Sequence, residues 1–259
     1  MDLGIKGRTA IVCASSKGLG KACAMGLARE GVAVTINSRD AARLEAAATE
    51  IREATGGEVR CVVGDIGAPE TRAALLEACP APDILVTNNG GPMPGRFQDF
   101  DRDAWIAAFD ANMIAPAEMI RAVVDGMVER RFGRIVNILS AMVKSPLAPM
   151  GLSSGARTAL LSYCKGVSRE VAHANVTINN LLPERIDTER QRFMAELAAA
   201  MHGKTVDQAY DEIRASIAAR RLGTPAEFGD ACAWLCSAQA GFVSGQNLQL
   251  DGGSYAGIL

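Results

Sequence analysis

The stretch Val12-Cys13-Ala14-Ser15-Ser16-Lys17-Gly18-Leu19-Gly20 follows an apolar run and opens a helical pattern that continues to about residue 30. A strand that turns through small residues into a helix points backbone N–H groups and the helix N-terminus at one spot, which favours phosphate. Gly18 and Gly20 permit close backbone approach, and the hydroxyls of Ser15 and Ser16 add donors. An ordinary tight strand-to-helix turn has the same sequence pattern. The rest of the chain is needed to distinguish such a turn from a phosphate-binding loop.

The composition indicates a single α/β domain, residues 1–259, with a full-sized core. Net charge is −2, and the 27 basic and 29 acidic residues are spread along the chain. No basic block indicates nucleic acid, and no apolar run approaches the roughly 18 residues that span a bilayer. The N-terminal residues lack the basic-then-apolar form of a signal peptide. We therefore expect a cytoplasmic protein without a nucleic-acid or membrane partner.

The metal-binding residue types are not arranged as ligands. The seven cysteines include no Cys-x-x-Cys pair and lie mostly in apolar patterns, where free cysteine behaves as a small hydrophobe. His173 and His202 are far apart and have no neighbours at ligand spacing. We expect no disulfide framework and no metal site.

Apolar runs and helical patterns alternate along the chain, which is typical of parallel βαβ units. The predicted strands are 8–13, 32–37, 59–64, 83–88, 133–139, 176–182 and 246–250. The predicted helices are 18–30, 40–55, 69–79, 102–130, 149–173 and 225–238. This pattern predicts a doubly wound, Rossmann-type parallel sheet of seven strands with helices on both faces and ligands at the strand C-terminal ends. The charged, Ala-rich insertion 184–222 is a candidate substrate lid.

A basic residue follows the second predicted strand, in Asn37-Ser38-Arg39. An NAD-binding fold usually places an acidic residue there, about 20 residues beyond the glycines, to hold the ribose 2′-hydroxyl. Arg39 would instead pair with a 2′-phosphate, and Lys17 adds a second positive charge. A solvated arginine at a strand end is the alternative. Together the two cations favour NADP(H), with NAD(H) still possible.

At this point the chain resembles the short-chain dehydrogenase/reductase family, in particular the 3-oxoacyl-(acyl-carrier-protein) reductases, over nearly its whole length. The loop 13–20 resembles the family's Thr-Gly-x-x-x-Gly-x-Gly, with Cys13 and Ala14 replacing Thr and Gly. The other matching motifs are Gly64-Asp65-Ile66, Asn88-Asn89-Gly90-Gly91, the segment Asn180 to Thr188, and Phe242-Val243-Ser244-Gly245 to Asp251-Gly252-Gly253. The resemblance implies hydride transfer between a nicotinamide and a small carbonyl or alcohol substrate. It also implies a homodimer or homotetramer built through 102–130 and 149–173.

The loop pattern and the resemblance together give a set of cofactor-binding residues. These are Ser15, Ser16, Lys17, Gly18, Leu19, Gly20, Ser38, Arg39, Asp65, Ile66, Asn89, Gly90, Arg157, Pro183, Ile186 and Thr188. Two positions depart from the family. Ala14 has a Cβ, so the loop must avoid positive φ there or lose about 1 kcal/mol. Glu184 replaces a usual glycine and raises the same question.

The resemblance implies four catalytic groups: an Asn, a Ser, and a Tyr four residues before a Lys. The Asn is Asn112 and the Ser is Ser140, but Ser153 stands in place of Tyr and Arg157 in place of Lys. The i, i+4 spacing still puts both on one helix face. A phenol with a pKa near 10 can be tuned by a cation, whereas an alkyl hydroxyl is a much weaker acid. Arg157 can bond the ribose but cannot exchange a proton as lysine does.

Pro116 interrupts the apolar stripe of the predicted helix 102–130 and has no N–H. The carbonyl of Asn112, four residues earlier, therefore loses its helical donor, and we expect a kink. That carbonyl can hold a water of the family's proton relay; a kink that only improves packing is the alternative. The three tyrosines of the chain lie elsewhere. Tyr163 is about 15 Å along the helix from Ser153 and off its face. Tyr210 lies in the insertion, and Tyr255 is typical of C-terminal packing.

Three functions remain open. The first is an NADP(H)-dependent reductase or alcohol dehydrogenase in which Ser140 is the oxyanion donor and Ser153 or a water closes the proton path. The second is a non-catalytic NADP(H)-binding sensor or subunit, and the third an enzyme whose substrate supplies its own acid. Met93 and Phe193 are candidates for an apolar substrate pocket, together with Met142, Val143, Met150 and Met194. Arg185, Arg190 and Arg192 are compatible with an anionic substrate or carrier, and equally with a solvated helix face.

Overall fold

The protein is described over residues 2–258 by a computed structural model, in which seven strands form one sheet. They are β1 (Thr9–Val12), β2 (Ala33–Ser38), β3 (Val59–Val63), β4 (Ile84–Thr87), β5 (Gly133–Ile138), β6 (Val176–Pro183) and β7 (Asn247–Leu250). The order is β3-β2-β1-β4-β5-β6-β7, and each neighbouring pair is parallel. All seven predicted strands and the Rossmann-type fold are confirmed.

The helices lie between the strands. They are α1 (Gly18–Arg29), α2 (Ala41–Thr55), α3 (Pro69–Ala78), α4 (Arg102–Phe109), α5 (Ala115–Glu129), α6 (Gly151–Val171), α7 (Glu189–His202), α8 (Val206–Ser216) and α9 (Pro225–Leu235). The insertion 184–222 contains α7 and α8, which pack through buried alanines at 195, 199 and 209. Among residues 2–258, no helix has both the length and the apolar character to cross a membrane.

The predicted helix 102–130 is interrupted as its proline requires. A π-helical turn, Asp110–Ile114, joins α4 to α5, and the N–H of Ala115 donates to the carbonyl of Asp110. Pro116 is in the first turn of α5, and its missing N–H removes the α-helical donor, four residues on, to the carbonyl of Asn112. The wider turn absorbs that break, and it places Asn112 beside the ends of the central strands.

Both faces of the sheet are covered, as a parallel sheet requires. The consecutive β1 residues Ala10, Ile11 and Val12 alternate between two core clusters, because successive strand side chains point to opposite faces. One cluster packs against α1, α2 and α9, the other against α3, α5 and α6. The site therefore rests on a sheet that is fixed from both sides.

Two glycines set the position of α1. An ideal Cβ on Gly26 would lie 2.7 Å from the carbonyl oxygen of Gly229, which is on α9. The two helix backbones approach too closely for any side chain to fit between them. This contact fixes α1, and with it the loop 13–20 at its N-terminus.

A row of polar side chains crosses four strands, from the last residue of β4 to the first residue of β7. The hydroxyl of Thr87 donates to Asn137 Oδ1 at 2.7 Å, Asn137 Nδ2 to Asn180 Oδ1 at 2.9 Å, and Asn180 Nδ2 to Asn247 Oδ1 at 2.7 Å. These residues are register partners in β4, β5, β6 and β7. Each amide is hydrogen-bonded to the next, so the row holds the four strands in register.

Candidate functional site

The loop after β1 has the shape of a phosphate cradle. α1 begins at Gly18, where φ is +57°, and no side chain caps its first turn, so its first amides have no partner within the helix. An ideal Cβ on Gly20 would lie 2.5 Å from the carbonyl oxygen of Ala14, so only glycine fits there. Lys17, Gly18, Leu19 and Gly20 thus present the helix N-terminus as the sequence predicted, and these residues fit a pyrophosphate.

The departures at positions 14 and 184 have different outcomes. Ala14 has φ +46°, so the loop adopts the conformation that a Cβ disfavours by about 1 kcal/mol. Asn88 Nδ2 donates to the carbonyl of Ala14 at 3.0 Å, and the N–H of Ala14 donates to Asn37 Oδ1 at 3.4 Å. In the second segment the positive φ, +57°, falls on Arg185 and not on Glu184.

The expectation that Ser15 offers a hydroxyl donor to phosphate is corrected by its burial. Ser15 is fully buried, its hydroxyl donates to the carbonyl of Val12 at 2.6 Å, and it accepts from the N–H of Asn37 at 3.0 Å. The hydroxyl therefore links the loop to β2, and its proton is already donated to the carbonyl of Val12. The hydroxyl of Ser16 lies at the surface end of β2 and donates to the hydroxyl oxygen of Ser38 at 2.9 Å.

The predicted 2′-phosphate cations are each paired with a carboxylate. Lys17 Nζ is 2.5 Å from Glu189 Oε2, and Arg39 Nη1 is 3.6 Å from Asp65 Oδ2. Arg43 Nη1 lies 3.9 Å from the same oxygen of Glu189. Sequence reasoning missed Arg43 and Glu189. The available signals were an arginine in the first turn of the helix after β2 and an acid directly after Thr188.

The remaining predicted cofactor residues lie at the C-terminal edge of the sheet. Ile66 is buried after β3, and the side chain of Asn89 donates to the carbonyl of Ala111 at 3.0 Å while accepting from the N–H of Gly90 at 2.8 Å. Pro183 ends β6, Ile186 bridges to Gly223, and Thr188 caps α7 by accepting from the N–H of Gln191 at 3.3 Å. Strand topology brings these residues to one edge, although they are far apart in sequence.

The four predicted catalytic residues surround the ends of β4 and β5. Ser140 follows β5, and its Oγ accepts from the N–H of Met142 at 3.2 Å, which leaves its hydroxyl proton without an acceptor among residues 2–258. Ser153 and Arg157 lie one turn apart on α6 and are buried, with Arg157 Nε donating to Ser153 Oγ at 3.2 Å. No acceptor for the hydroxyl proton of Ser153 lies within the described chain either.

Arg157 links the C-terminal ends of β4 and β5 through hydrogen bonds. Its Nη1 donates to the carbonyls of Ile138 at 2.7 Å and Leu139 at 3.1 Å, and its Nη2 donates to that of Asn89 at 3.3 Å. With the bond to Ser153, four of the five N–H donors of the guanidinium are used, so one remains for a ligand. The predicted ribose contact is therefore limited to that single donor.

The charge of Arg157 has no carboxylate partner in the described chain. Burial lowers the pKa of Arg157 from its usual value to about 10, and the positive charge of Arg190 adds to this. The guanidinium remains a cation at neutral pH because that pKa is still well above 7. The site consequently has a fixed positive charge held by neutral carbonyl oxygens.

Asn112 faces the same loop from the π-helical turn. Its Nδ2 lies 3.5 Å from the carbonyl oxygen of Gly90 and 3.4 Å from that of Ala108. Its Oδ1 is buried and has no hydrogen-bond partner in the described chain. A buried acceptor of this kind is expected to bind a water or a ligand donor.

None of the three tyrosines is shown to replace the missing phenol. Tyr163 packs against the core cluster beneath α5, and Tyr210 lies on α8 in the insertion. The ring of Tyr255 lies 5.3 Å from Nζ of Lys144, in the loop that follows Ser140. Within residues 2–258 there is no group of three or more His, Cys, Asp or Glu side chains that could hold a metal ion.

The fold and the loop 13–20 define a nucleotide-binding α/β protein of the Rossmann type, and the family follows from comparison with known proteins. A family model described as enoyl-(acyl carrier protein) reductase matches residues 13–255. The chain belongs to the short-chain dehydrogenase/reductase family and resembles its 3-oxoacyl-(acyl-carrier-protein) reductases.

Individual relatives match along almost their whole length. The chain is 30% identical to the NADPH-dependent reductase BacG of Bacillus subtilis, over 97% of this chain and 99% of that one. It is 28% identical to the 3-oxoacyl-(acyl-carrier-protein) reductase FabG of Vibrio cholerae, over 98% and 99%. The structure of L-sorbose reductase from Gluconobacter frateurii, complexed with NADPH and L-sorbose, superposes with a TM-score of 0.94 at 27% identity and covers 100% of both chains. The relatives thus include NADPH-dependent reductases.

Proposed function

We propose that the protein is an NADP(H)-dependent oxidoreductase that interconverts a carbonyl and an alcohol in a small-molecule substrate. The observation that carries this proposal is the free hydroxyl proton of Ser140, positioned at the end of β5 beside the cation of Arg157. The amide cradle of α1 opens at the same edge of the sheet. The NADPH-dependent reductases among the relatives of the chain support the same function.

The cofactor-binding residues divide into four groups. The amides of Gly18 and its neighbours would bind the pyrophosphate, and Lys17, Arg39 and Arg43 would bind the 2′-phosphate. Asp65, Ile66 and Gly90 would border the adenine, and Pro183, Ile186 and Thr188 the nicotinamide. When bound, NADPH would supply the hydride for the substrate carbonyl.

Ser140 would stabilise the reacting oxygen. Its hydroxyl would donate to the carbonyl oxygen as negative charge develops there, an effect that is large where water is excluded. The charge of Arg157 acts in the same sense because it is buried and no carboxylate within residues 2–258 neutralises it. Arg157 would therefore contribute electrostatically and by positioning the strand ends.

The proton requires a source other than Arg157, since a guanidinium at neutral pH does not release one. Ser153 keeps a free hydroxyl proton but is a weak acid. We propose that a water hydrogen-bonded to Oδ1 of Asn112, the buried acceptor without a partner in the described chain, delivers the proton, and that the hydroxide left behind takes a proton from solvent water. Loss of a good general acid lowers the rate by about 10²–10⁴-fold, so a slow enzyme is expected.

The test is NADPH oxidation, followed at the nicotinamide absorbance, with a panel of β-ketoacyl thioesters, ketoses, diketones, quinones and oxo acids. Turnover of at least one class is expected, and NADPH should enhance its fluorescence on binding. Binding without turnover of any class would contradict the proposal. That result would favour a non-catalytic NADP(H)-binding protein, which the burial of Ser153 and Arg157 would then explain.

A further inference from the structure

The three arginines of the insertion do not share one role. Arg185 Nε is 3.8 Å from Glu184, and Arg192 Nε is 3.1 Å from Glu196, so both charges have a neighbouring carboxylate. Arg190 has no carboxylate within 4.0 Å among residues 2–258. Its Nη2 instead reaches back from α7 and donates to the carbonyl of Pro92 at 3.3 Å.

Arg190 and Arg157 donate hydrogen bonds to the same short loop. Arg157 Nη2 donates to the carbonyl of Asn89, and Arg190 Nη2 to that of Pro92, three residues further on. Between them, an ideal Cβ on Gly91 would lie 3.7 Å from Nη2 of Arg157. The loop thus joins a buried cation to an exposed one, and neither has a carboxylate partner in the described chain.

Two of the three acids closest in sequence to this cleft are engaged elsewhere, and the third, Asp187, has no cation within 4.0 Å in the described chain and lines a surface with Tyr210. Glu184 lies beside Arg185, and Glu189 is paired with Lys17 and Arg43. The two guanidinium groups, neither of which has a carboxylate partner within residues 2–258, repel one another, and an anion bound at Arg190 would relieve that repulsion. Carboxylate is the matching anion, because its two oxygens fit the planar fork of a guanidinium.

The side chains around Arg190 are apolar. Its guanidinium lies 5.7 Å from the ring centre of Phe193, and its Nη1 is 3.9 Å from Sδ of Met93. Phe193 and Met93 are 40% and 56% exposed, so both present apolar surface next to the cation. This surface suits the carbon chain of a substrate that ends in a charged group.

We propose that the substrate is an oxo acid or hydroxy acid whose carboxylate binds Arg190 within the positive field of Arg157. This inference rests on the proposed oxidoreductase function and specifies its substrate class. Arg190 is then a specificity-determining residue on the insertion, while Ser140 acts on the carbonyl that is reduced.

Matched substrate pairs test the proposal. A series of 2-oxo and 3-oxo acids would be compared with their methyl esters, which keep the carbonyl and lose the charge. The acids should have the higher kcat/KM, and Arg190→Gln should raise KM for the acids about tenfold or more with little change for the esters. Arg192→Gln, two residues away on the same helix and already beside a carboxylate, is the control and should leave both unchanged.

A binding measurement separates this inference from the proposed function. Malonate, which is not reduced, should raise the melting temperature of the protein, dimethyl malonate should not, and Arg190→Gln should abolish the malonate effect. Turnover of neutral carbonyls alone, or equal effects of Arg190→Gln and Arg192→Gln, would overturn the anion site and leave the oxidoreductase function intact. Malonate binding through Arg190 without turnover of any substrate would support the anion site and overturn the oxidoreductase function.

Discussion

The cofactor end and the catalytic end of the cleft hold positive charge in opposite ways. At the cofactor end, Lys17 and Arg43 share Glu189, and Arg39 is close to Asp65. These side chains are more than half exposed, apart from Asp65 at 48%. At the catalytic end, Arg157 and Arg190 have no carboxylate partner in the described chain, and Arg157 is bonded to backbone carbonyls.

The difference predicts two kinds of ligand recognition. An exposed ion pair contributes little and can be exchanged, so a phosphate can take the place of Glu189 or Asp65 at small cost. A buried guanidinium cannot move without leaving several carbonyls unsatisfied, so its charge is a fixed part of the site. Substitutions at the catalytic end should therefore have large effects, and those at the cofactor end small ones.

Ser140→Ala should have the largest effect on activity. The variant loses the only proposed donor to the reacting oxygen, so kcat/KM should fall by about 10²–10³-fold. NADPH binding, measured by fluorescence titration, should be unchanged because the hydroxyl lies away from the loop 13–20. Ser162→Ala, at an exposed position of α6, is the control. Turnover near the wild-type level would remove Ser140 from the mechanism.

Arg157→Met should have the largest effect on stability. It leaves three backbone carbonyls without their donor, and we expect the free energy of unfolding to fall by about 2–4 kcal/mol, partly offset by removal of a buried charge. Denaturant unfolding measures this directly. Arg121→Met, at an exposed arginine of α5 paired with Glu118, should leave stability unchanged. Equal stability of Arg157→Met and the wild type would mean that the free-energy cost of burying the charge equals the stabilisation from its hydrogen bonds.

The sequence was sufficient where the chemistry is local. Alternation of apolar runs predicted every strand, and the missing N–H of Pro116 predicted the break that appears as a π-helical turn. It failed where a side chain meets a distant segment. Ser15 was expected to face phosphate, but its partner Asn37 lies on β2 and draws the hydroxyl inward. Glu189 was missed because only the fold brings it to Lys17.

The same limit applies to the catalytic end. The i, i+4 spacing of Ser153 and Arg157 was visible in the sequence, and the structure has the expected contact between them. The three carbonyls that occupy most of the guanidinium come from the ends of β4 and β5, and no local pattern reports them. The sequence alone shows that replacing Lys by Arg removes a proton-exchanging group, but only the structure shows that the arginine links the ends of two strands.

Ala14→Gly tests the cofactor end at the level of the backbone. Position 14 has φ +46°, which glycine adopts without the Cβ penalty, so the variant should be more stable by about 1 kcal/mol in denaturant unfolding. Ala46→Gly, at an exposed position in the interior of α2, should change stability by a similar amount in the opposite direction. If both substitutions destabilise, the loop gains from the Cβ of Ala14 more than it loses in strain.

Glu189→Gln should produce the smallest change, a change in NADPH affinity. It directly tests the comparison between the cofactor end and the catalytic end of the cleft. The substitution frees Lys17 and Arg43 from the carboxylate, so NADPH should bind about two- to threefold more tightly. The gain should shrink as salt is added, because exposed charges are screened, and it should be absent for NADH, which has no 2′-phosphate. Glu196→Gln, which removes an equivalent charge from the same helix beside Arg192, separates pairing from net charge. Weaker NADPH binding by Glu189→Gln would mean that Glu189 holds Lys17 in place for the phosphate and does not compete with it. The two ends of the cleft would then both use fixed cations, one held by a carboxylate and the other by backbone carbonyls.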